Sequence, residues 1–311
     1  VAISNVVLLV GGVGGAKLAY GLKELLLPEQ LTIIVNTGDD FWLYGLRICP
    51  DLDTITYTLG QRIDKRKGWG VANDTTQMLG ALGDLGVDTW FQLGDIDLAT
   101  HLLRTDLLRD GHTLTQVTEH IRGAFGVQHD ILPMTDSEVA TIVDTIEFGE
   151  MAFQDYFVRH RWQPTVRGLR YDGAEGATVT DAAKHALATA DMIILGPSNP
   201  WLSIAPILAV GGVRGLIVQR DVPRVAVSPI VGGKAIKGPT AKIMYEMGMA
   251  QTAQTVADYY GDVINGFAYD EQDAPLAPHT KRSAAFQTVM HTDRDKIVFA
   301  EQLLNWIENW S

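Results

Sequence analysis

Val6-Val-Leu-Leu-Val10 is apolar at every position, the pattern of a strand covered on both faces as in a parallel sheet. The glycine turn Gly11-Gly-Val-Gly-Gly15 follows directly. Residues 16–26 then place Leu18, Leu22, Leu25 and Leu26 at helical spacing, and Leu31-Thr-Ile-Ile-Val35 reads as the next strand. Strand, turn, helix and strand predict a right-handed βαβ unit.

Residues 74–123 are mostly helical in pattern, with Thr113 and Gln116 spaced as a capping box. Residues 140–171 alternate short β-prone runs, Thr141-Ile-Val143 and residues 153–158, with polar positions. The α/β pattern returns with a helix over 182–190, a strand Met192-Ile-Ile-Leu195, a turn Gly196-Pro-Ser-Asn-Pro200, and strands at Leu216-Ile-Val218 and Val225-Ala-Val227. Pro239 is placed to open a helix ending near Gly248, and Thr292 with Asp295 caps the last helix. The fold class this predicts is α/β: a Rossmann-like three-layer parallel sheet core over residues 1–97 and 174–311. An inserted, mainly helical subdomain over 98–173 covers the active site.

The composition is that of a packed globular chain: 311 residues, 46% hydrophobic and 20% charged. The net charge of −12 argues against a nucleic-acid partner, and no apolar run reaches the ~18 residues of a membrane helix. One cysteine, Cys49, excludes an internal disulfide and is read as buried and inert; the expected compartment is the cytoplasm.

Three turns follow predicted strands and so fall on the carboxyl edge of the sheet, where open α/β folds bind ligands. The first, with Gly11, Gly12, Gly14 and Gly15, suits a phosphate, because glycines allow close approach and a helix N-terminus favours an anion. Lys17 stands where a dinucleotide fingerprint needs its third glycine, and no Gly-Lys-Ser/Thr makes a P-loop. Lys17, expected in the first helical turn, offers a charge to that phosphate. The second turn, Gly196, Pro197, Ser198 and Asn199, fails as a nucleophile elbow because Pro200 fills the last glycine position. Ser228 belongs to the third. Asp39, Asp40, Asp51 and Asp53 cluster in sequence, and carboxylates beside a phosphate site make sense where a hard cation such as magnesium bridges them. Aspartate also serves as a turn former or cap. His101 is a further, weaker candidate.

These motifs together resemble the 2-phospho-L-lactate transferase family of coenzyme F-420 biosynthesis. The resemblance is carried in order by Gly11-Gly-Val-Gly-Gly-Ala-Lys17, Asn36-Thr-Gly-Asp-Asp40, Cys49-Pro-Asp-Leu-Asp-Thr54 and Trp69-Gly-Val-Ala-Asn-Asp-Thr75. It continues through Leu93-Gly-Asp95, Asp97-Leu-Ala-Thr-His101, Ile131-Leu-Pro-Met-Thr-Asp136, Phe153-Gln-Asp155, Gly196-Pro-Ser-Asn-Pro200 and Val227-Ser-Pro-Ile230. It implies a magnesium-dependent homodimer that moves a three-carbon acid, through its phosphate, from a guanosine diphospho-linked donor to the ribityl hydroxyl of the deazariboflavin Fo, releasing GMP. The implied roles are nucleotide binding by the glycine turn, the 196–199 turn and Ser228, and metal binding by Asp39, Asp40 and Asp51. Catalysis falls to Asp53 and Asp39, and acceptor binding to Asp53, Gln92, Met134, Thr135 and Asp136. Gln92 replaces a lysine found in some members.

Two rivals remain: a nucleotide-sugar-binding regulator of a related cell-envelope family, and an NAD(P)-dependent dehydrogenase. Asn36, where a ribose-binding acid would end the second strand, counts against the latter. The acid itself (phospholactate, phosphoenolpyruvate or 3-phosphoglycerate) is left open.

Overall fold

The computed structural model describes residues 4–236, 238–277 and 282–310. Among these, seven strands form the main sheet: β1 (Val6–Val10), β2 (Leu31–Val35), β3 (Asp130–Pro133), β4 (Met192–Leu195), β5 (Arg224–Val227), β6 (Gly266–Asp270) and β7 (Ser283–Phe286). They run in the order β3-β2-β1-β4-β5-β6-β7, every pair parallel. This is the doubly wound arrangement, in which strand order reverses between β1 and β4 and opens a crevice at their carboxyl ends.

The apolar runs are continuous because each strand feeds two cores. Val7 and Leu9 face one side, Val6, Leu8 and Val10 the other, and all five are fully buried. On the second side helix α1 (Gly12–Lys23) packs between α2 (Pro50–Leu59) and the C-terminal helix α4 (Asp293–Glu308). The first side is covered by shorter helices at Asp181–Thr189, Ala205–Ala209, Val213–Val218 and Ala253–Tyr260. Helix α3 (Asp95–Arg109) lies beside a hairpin of Phe41–Leu43 and Leu46–Ile48. The capping boxes at Thr113/Gln116 and Thr292/Asp295 both form. No helix of the described residues is long and apolar enough to cross a membrane.

Four local expectations are corrected. Helix α1 starts at Gly12, not near Ala16, so Lys17 sits in its second turn. Leu216-Ile-Val218 is helical: Val213 and Ile217 are the buried positions, four apart, and a short apolar run does not by itself separate strand from helix. Within 98–173, β3 belongs to the main sheet, as its edge strand, where Pro133 is tolerated. The remainder of that segment holds most of α3, the helix Leu114–Ala124 and an antiparallel sheet of Gly149–Ala152, Ala140–Thr145 and Val166–Asp172. Residues 153–158 are not β but enter a π-helical turn, Asp155–Arg159.

Gly21 marks the closest approach of α1 to α4: a Cβ there would stand 2.1 Å from the Lys296 carbonyl oxygen. Helix propensity alone favours Gly21→Ala by ~1 kcal/mol. Because the obstacle is backbone, the substitution is expected to destabilise instead, by about 1–3 kcal/mol. Urea unfolding checks this, and a raised midpoint would count against the packing argument.

Candidate active site

The turns after β1 and β4 meet at the switch point. A Cβ on Gly14 would stand 2.3 Å from the Pro197 carbonyl oxygen, so glycine is what lets the second turn approach. Ser198 ties the turns together: its hydroxyl donates to the Gly11 carbonyl at 2.8 Å and accepts from the Gly11 amide at 3.1 Å. Asn199 caps the following helical turn through Trp201 and Leu202 and donates to Thr240 Oγ1 at 3.0 Å. The two turns border one cavity of about 860 Å³, also lined by Lys17 and Ser228. That is toward the upper end of the roughly 300–1,000 Å³ typical of small-molecule sites. Lys17 Nζ donates to the Met290 carbonyl at 2.6 Å.

Asp39 and Asp51 line the cavity floor. Asp51, in the first turn of α2, accepts from the Gly12 amide at 2.7 Å and from Asn36 Nδ2 at 3.0 Å. Burial pushes its carboxyl up to about 6, against the lowering effect of those bonds. Burial, with the Asp51 charge beside it, raises Asp39 well above the usual range. Asp39 Oδ1 is buried without a hydrogen-bond partner, and among the described residues no lysine or arginine pairs with Asp39 or Asp51. Oxygen-only donors with an orphaned buried atom suit a hard divalent cation. Asp40 stands apart: it does not line the cavity, and its Oδ2 lies 3.7 Å from Arg47 Nη2. Burial pushes Asp40 up to about 7 despite Arg47.

Asp53, two positions on, is held differently. Arg104 spans its carboxylate, Nη1 donating to Oδ2 at 3.1 Å and Nη2 donating to Oδ1. The same Nη1 approaches His101 Nδ1 at 3.1 Å. A guanidinium only donates, so Nδ1 accepts and the imidazole proton sits on Nε2, 3.3 Å from Asp97 Oδ2. Tyr57 donates to Asp97 Oδ1 at 2.6 Å. Burial would raise Asp97, but the bonds from His101 and Tyr57 outweigh it and hold the carboxyl below its usual range. Asp53, Asp97 and His101 offer ligand atoms within 4.8 Å of one another. Unlike the Asp39–Asp51 pair, this cluster contains its own cation, Arg104.

Gln92 borders the cavity, whereas Met134, Thr135 and Asp136 do not. Met134 is fully buried in the core, Thr135 Oγ1 donates to the Thr178 carbonyl at 2.7 Å, and Asp136 accepts from the Thr115 amide at 2.7 Å. Those three follow β3 at the sheet edge, two strands away from the switch point. Gly15 and Gly196 pack behind the turns rather than on the cavity surface.

Sequence reasoning missed Arg104, although Asp97, His101 and Arg104 at i, i+4 and i+7 were readable as one helix face. It also missed the aromatic wall of Trp69, Trp90, Phe91, Phe157 and Trp162. That wall is drawn from three separate stretches of chain, and no local spacing announces it.

A doubly wound sheet opening at its switch point onto a cavity with glycine turns and buried carboxylates defines an α/β protein of the kind whose sites suit a phosphate-bearing ligand. The family model of 2-phospho-L-lactate transferase CofD matches residues 6–309, and the chain belongs to that family of transferases. It is 41% identical to a 2-phospho-L-lactate transferase of Methanosarcina mazei over 85% of this chain and 86% of the relative. It is likewise 41% identical to a phosphoenolpyruvate transferase of Streptomyces griseus, over 87% and 86%. A solved structure of a UPF0052 family member from Bacillus halodurans shares the fold, with a TM-score of 0.62 at 16% identity over 98% of this chain and 99% of that one.

The raised carboxyls set a pH dependence. From the ordinary value of 3.8 up to about 6 for Asp51 and about 7 for Asp40, the folded chain keeps protons that the unfolded chain releases. Their contribution to stability therefore falls as pH rises through that window. Asp40→Asn is expected to raise the melting temperature at pH 8, in chelator, and to change it little below pH 4. A melting temperature at pH 8 below that of the unsubstituted chain would mean that the Arg47 pair outweighs the burial of the charge.

Proposed function

We propose that the chain moves a phospholactyl-type group, carrying one of the three acids, from a guanosine diphospho-linked donor to the terminal ribityl hydroxyl of Fo, a step in coenzyme F-420 biosynthesis. The observation that carries the reading is a single cavity joining the two turns, the Asp39–Asp51 pair, Asp53 and an aromatic wall. The turns after β1 and β4, with Ser228, receive the guanosine diphosphate moiety. The aromatic wall offers flat apolar surface to the deazaflavin rings.

Magnesium fits the Asp39–Asp51 donor set, and when bound it neutralises charge on the diphosphate. Asp40, outside the cavity lining and paired with Arg47, is a neighbour of that set rather than a ligand. Asp53 accepts a hydrogen bond from the attacking hydroxyl, and Arg104 holds that carboxylate fixed in direction. An oxygen–phosphorus bond to the ribityl oxygen forms, the bond to GMP breaks, and the hydroxyl proton leaves to water. Phosphoryl transfer depends chiefly on alignment and charge neutralisation, so a carboxylate held for orientation suffices.

The test incubates the protein with Fo, magnesium and each guanosine-linked acid, following the phosphodiester and GMP by mass spectrometry. Product from one donor is expected, abolished by chelation and reduced on the order of a hundredfold or more in Asp51→Asn. Asp53→Asn is expected to lose about ten- to hundredfold in kcat. If guanosine diphosphate binds and no donor yields product, the transfer reading falls and a nucleotide-binding regulator replaces it. Separately, magnesium is expected to raise the melting temperature of the unsubstituted chain but not of Asp39→Asn. An equal rise in both would place the ion elsewhere.

A further inference from the structure

Among the described residues, three lysine or arginine side chains line the cavity: Lys17, Lys67 and Arg161. Lys17 donates to the Met290 carbonyl, and Lys67 lies over the Trp69 ring at 5.1 Å. Arg161 differs. Among the described arginines, the side chains of Arg62, Arg161 and Arg294 make no hydrogen bond, ion pair or ring contact, and of these only Arg161 borders the cavity.

Its backbone is held in place for this. Phe153, Gln154, Phe157 and Val158 face the cavity at helical spacing along the segment that ends in the π-helical turn. Arg161 and Trp162 then both adopt left-handed backbone, with φ of 50° and 47°. Such conformations are unfavourable for side chains of this size and persist only where the surroundings enforce them. Here the Trp162 amide donates to the Tyr156 carbonyl at 2.8 Å and the Gln163 amide to the His160 carbonyl at 3.1 Å. The result puts both side chains on the cavity wall beyond the helical turn.

We propose that Arg161 binds the carboxylate of the three-carbon acid on the donor. The inference rests on the transferase reading above. A chain of net charge −12 that admits a ligand carrying both a diphosphate and a carboxylate needs cationic partners for each. The glycine turns, and a cation where the Asp39–Asp51 pair would hold one, address the diphosphate. A guanidinium fork matches a carboxylate in two parallel hydrogen bonds, and Arg161 has all its donors uncommitted. The three candidate acids share this carboxylate, so Arg161 grips the acid without choosing among them.

The experiment compares the unsubstituted chain, Arg161→Ala and Arg161→Lys. Calorimetry measures affinity for guanosine diphosphate and for each guanosine-linked acid, and steady-state assays measure the KM for donor and for Fo. Arg161→Ala is expected to leave guanosine diphosphate affinity and the KM for Fo within about twofold. It is expected to weaken donor binding by about ten- to hundredfold, the effect of losing a hydrogen-bonded charge partner. Arg161→Lys should recover part of that loss, and the melting temperatures should coincide because the side chain has no protein partner to lose. Unchanged donor affinity in Arg161→Ala overturns the proposal, as does an equal fall for guanosine diphosphate, which would assign the residue to the diphosphate. If the unsubstituted chain binds the donors but makes no product, the transferase reading fails while the affinity comparison still decides the role of Arg161. If it binds no donor, both fail.

Discussion

Asp51 is the point on which the site depends. Its carboxylate lies in the first turn of α2 and accepts the Gly12 amide at the start of α1, so the positive ends of two helices converge on one buried anion. Asn36, following β2, supplies the second bond. A single side chain thus fixes the β1 turn, the end of β2 and α2 relative to one another. The arrangement also uses part of the helix-terminal field that would otherwise receive a phosphate. An anionic ligand brought to this floor meets Asp51 and Asp39 as well as amides, and a cation between ligand and carboxylates resolves the conflict.

The Asp53 cluster follows another logic. Its charges are paired internally: Arg104 on Asp53, His101 turned by Arg104 toward Asp97, Tyr57 on the far oxygen of Asp97. Arg104 and His101 are almost wholly buried. Removing one member of such a network leaves a buried charge uncompensated, which typically costs about 3–5 kcal/mol. The cluster is therefore stiff, and stiffness is what orientation of a hydroxyl requires. One side of the floor holds carboxylates that have no cationic partner among the described residues, and the other holds a carboxylate already given one.

What could be read from the sequence follows the range of the forces involved. Both capping boxes and the strands β1, β2, β4 and β5 are set by local patterning, and they form where expected. Leu216 to Val218 is not so set, because its helical state depends on the sheet face it covers. Residues 130–136 looked like part of an inserted unit; pairing with β2, more than ninety residues earlier, makes 130–133 an edge strand and leaves Met134, Thr135 and Asp136 away from the cavity. Asp39 and Asp51 were visible as a sequence cluster. That Asp40 turns toward Arg47 was not, since neighbours in sequence gave no sign of which carboxylate faces the ligand.

The cavity divides by origin. Its floor comes from the switch point of the doubly wound core and manages charge. Much of its wall comes from residues 153–162, which leave the small antiparallel sheet, and from the segments carrying Trp69, Trp90 and Phe91, which supply aromatic surface and the uncommitted Arg161. This matters for the identity of the acid. The chain is equally similar, at 41% identity, to a 2-phospho-L-lactate transferase and to a phosphoenolpyruvate transferase, so overall resemblance does not separate the two. Those acids differ beside the carboxylate by a methyl against a methylene, a contrast of shape at constant charge. A hydrophobic pocket discriminates one carbon substituent only weakly, by about 1–3 kcal/mol. Any such discrimination must come from close contact at the carbon next to the carboxylate. If Arg161 anchors that carboxylate, the apolar side chains that share its wall (Phe157, Val158 and Trp162) are the ones positioned to make it.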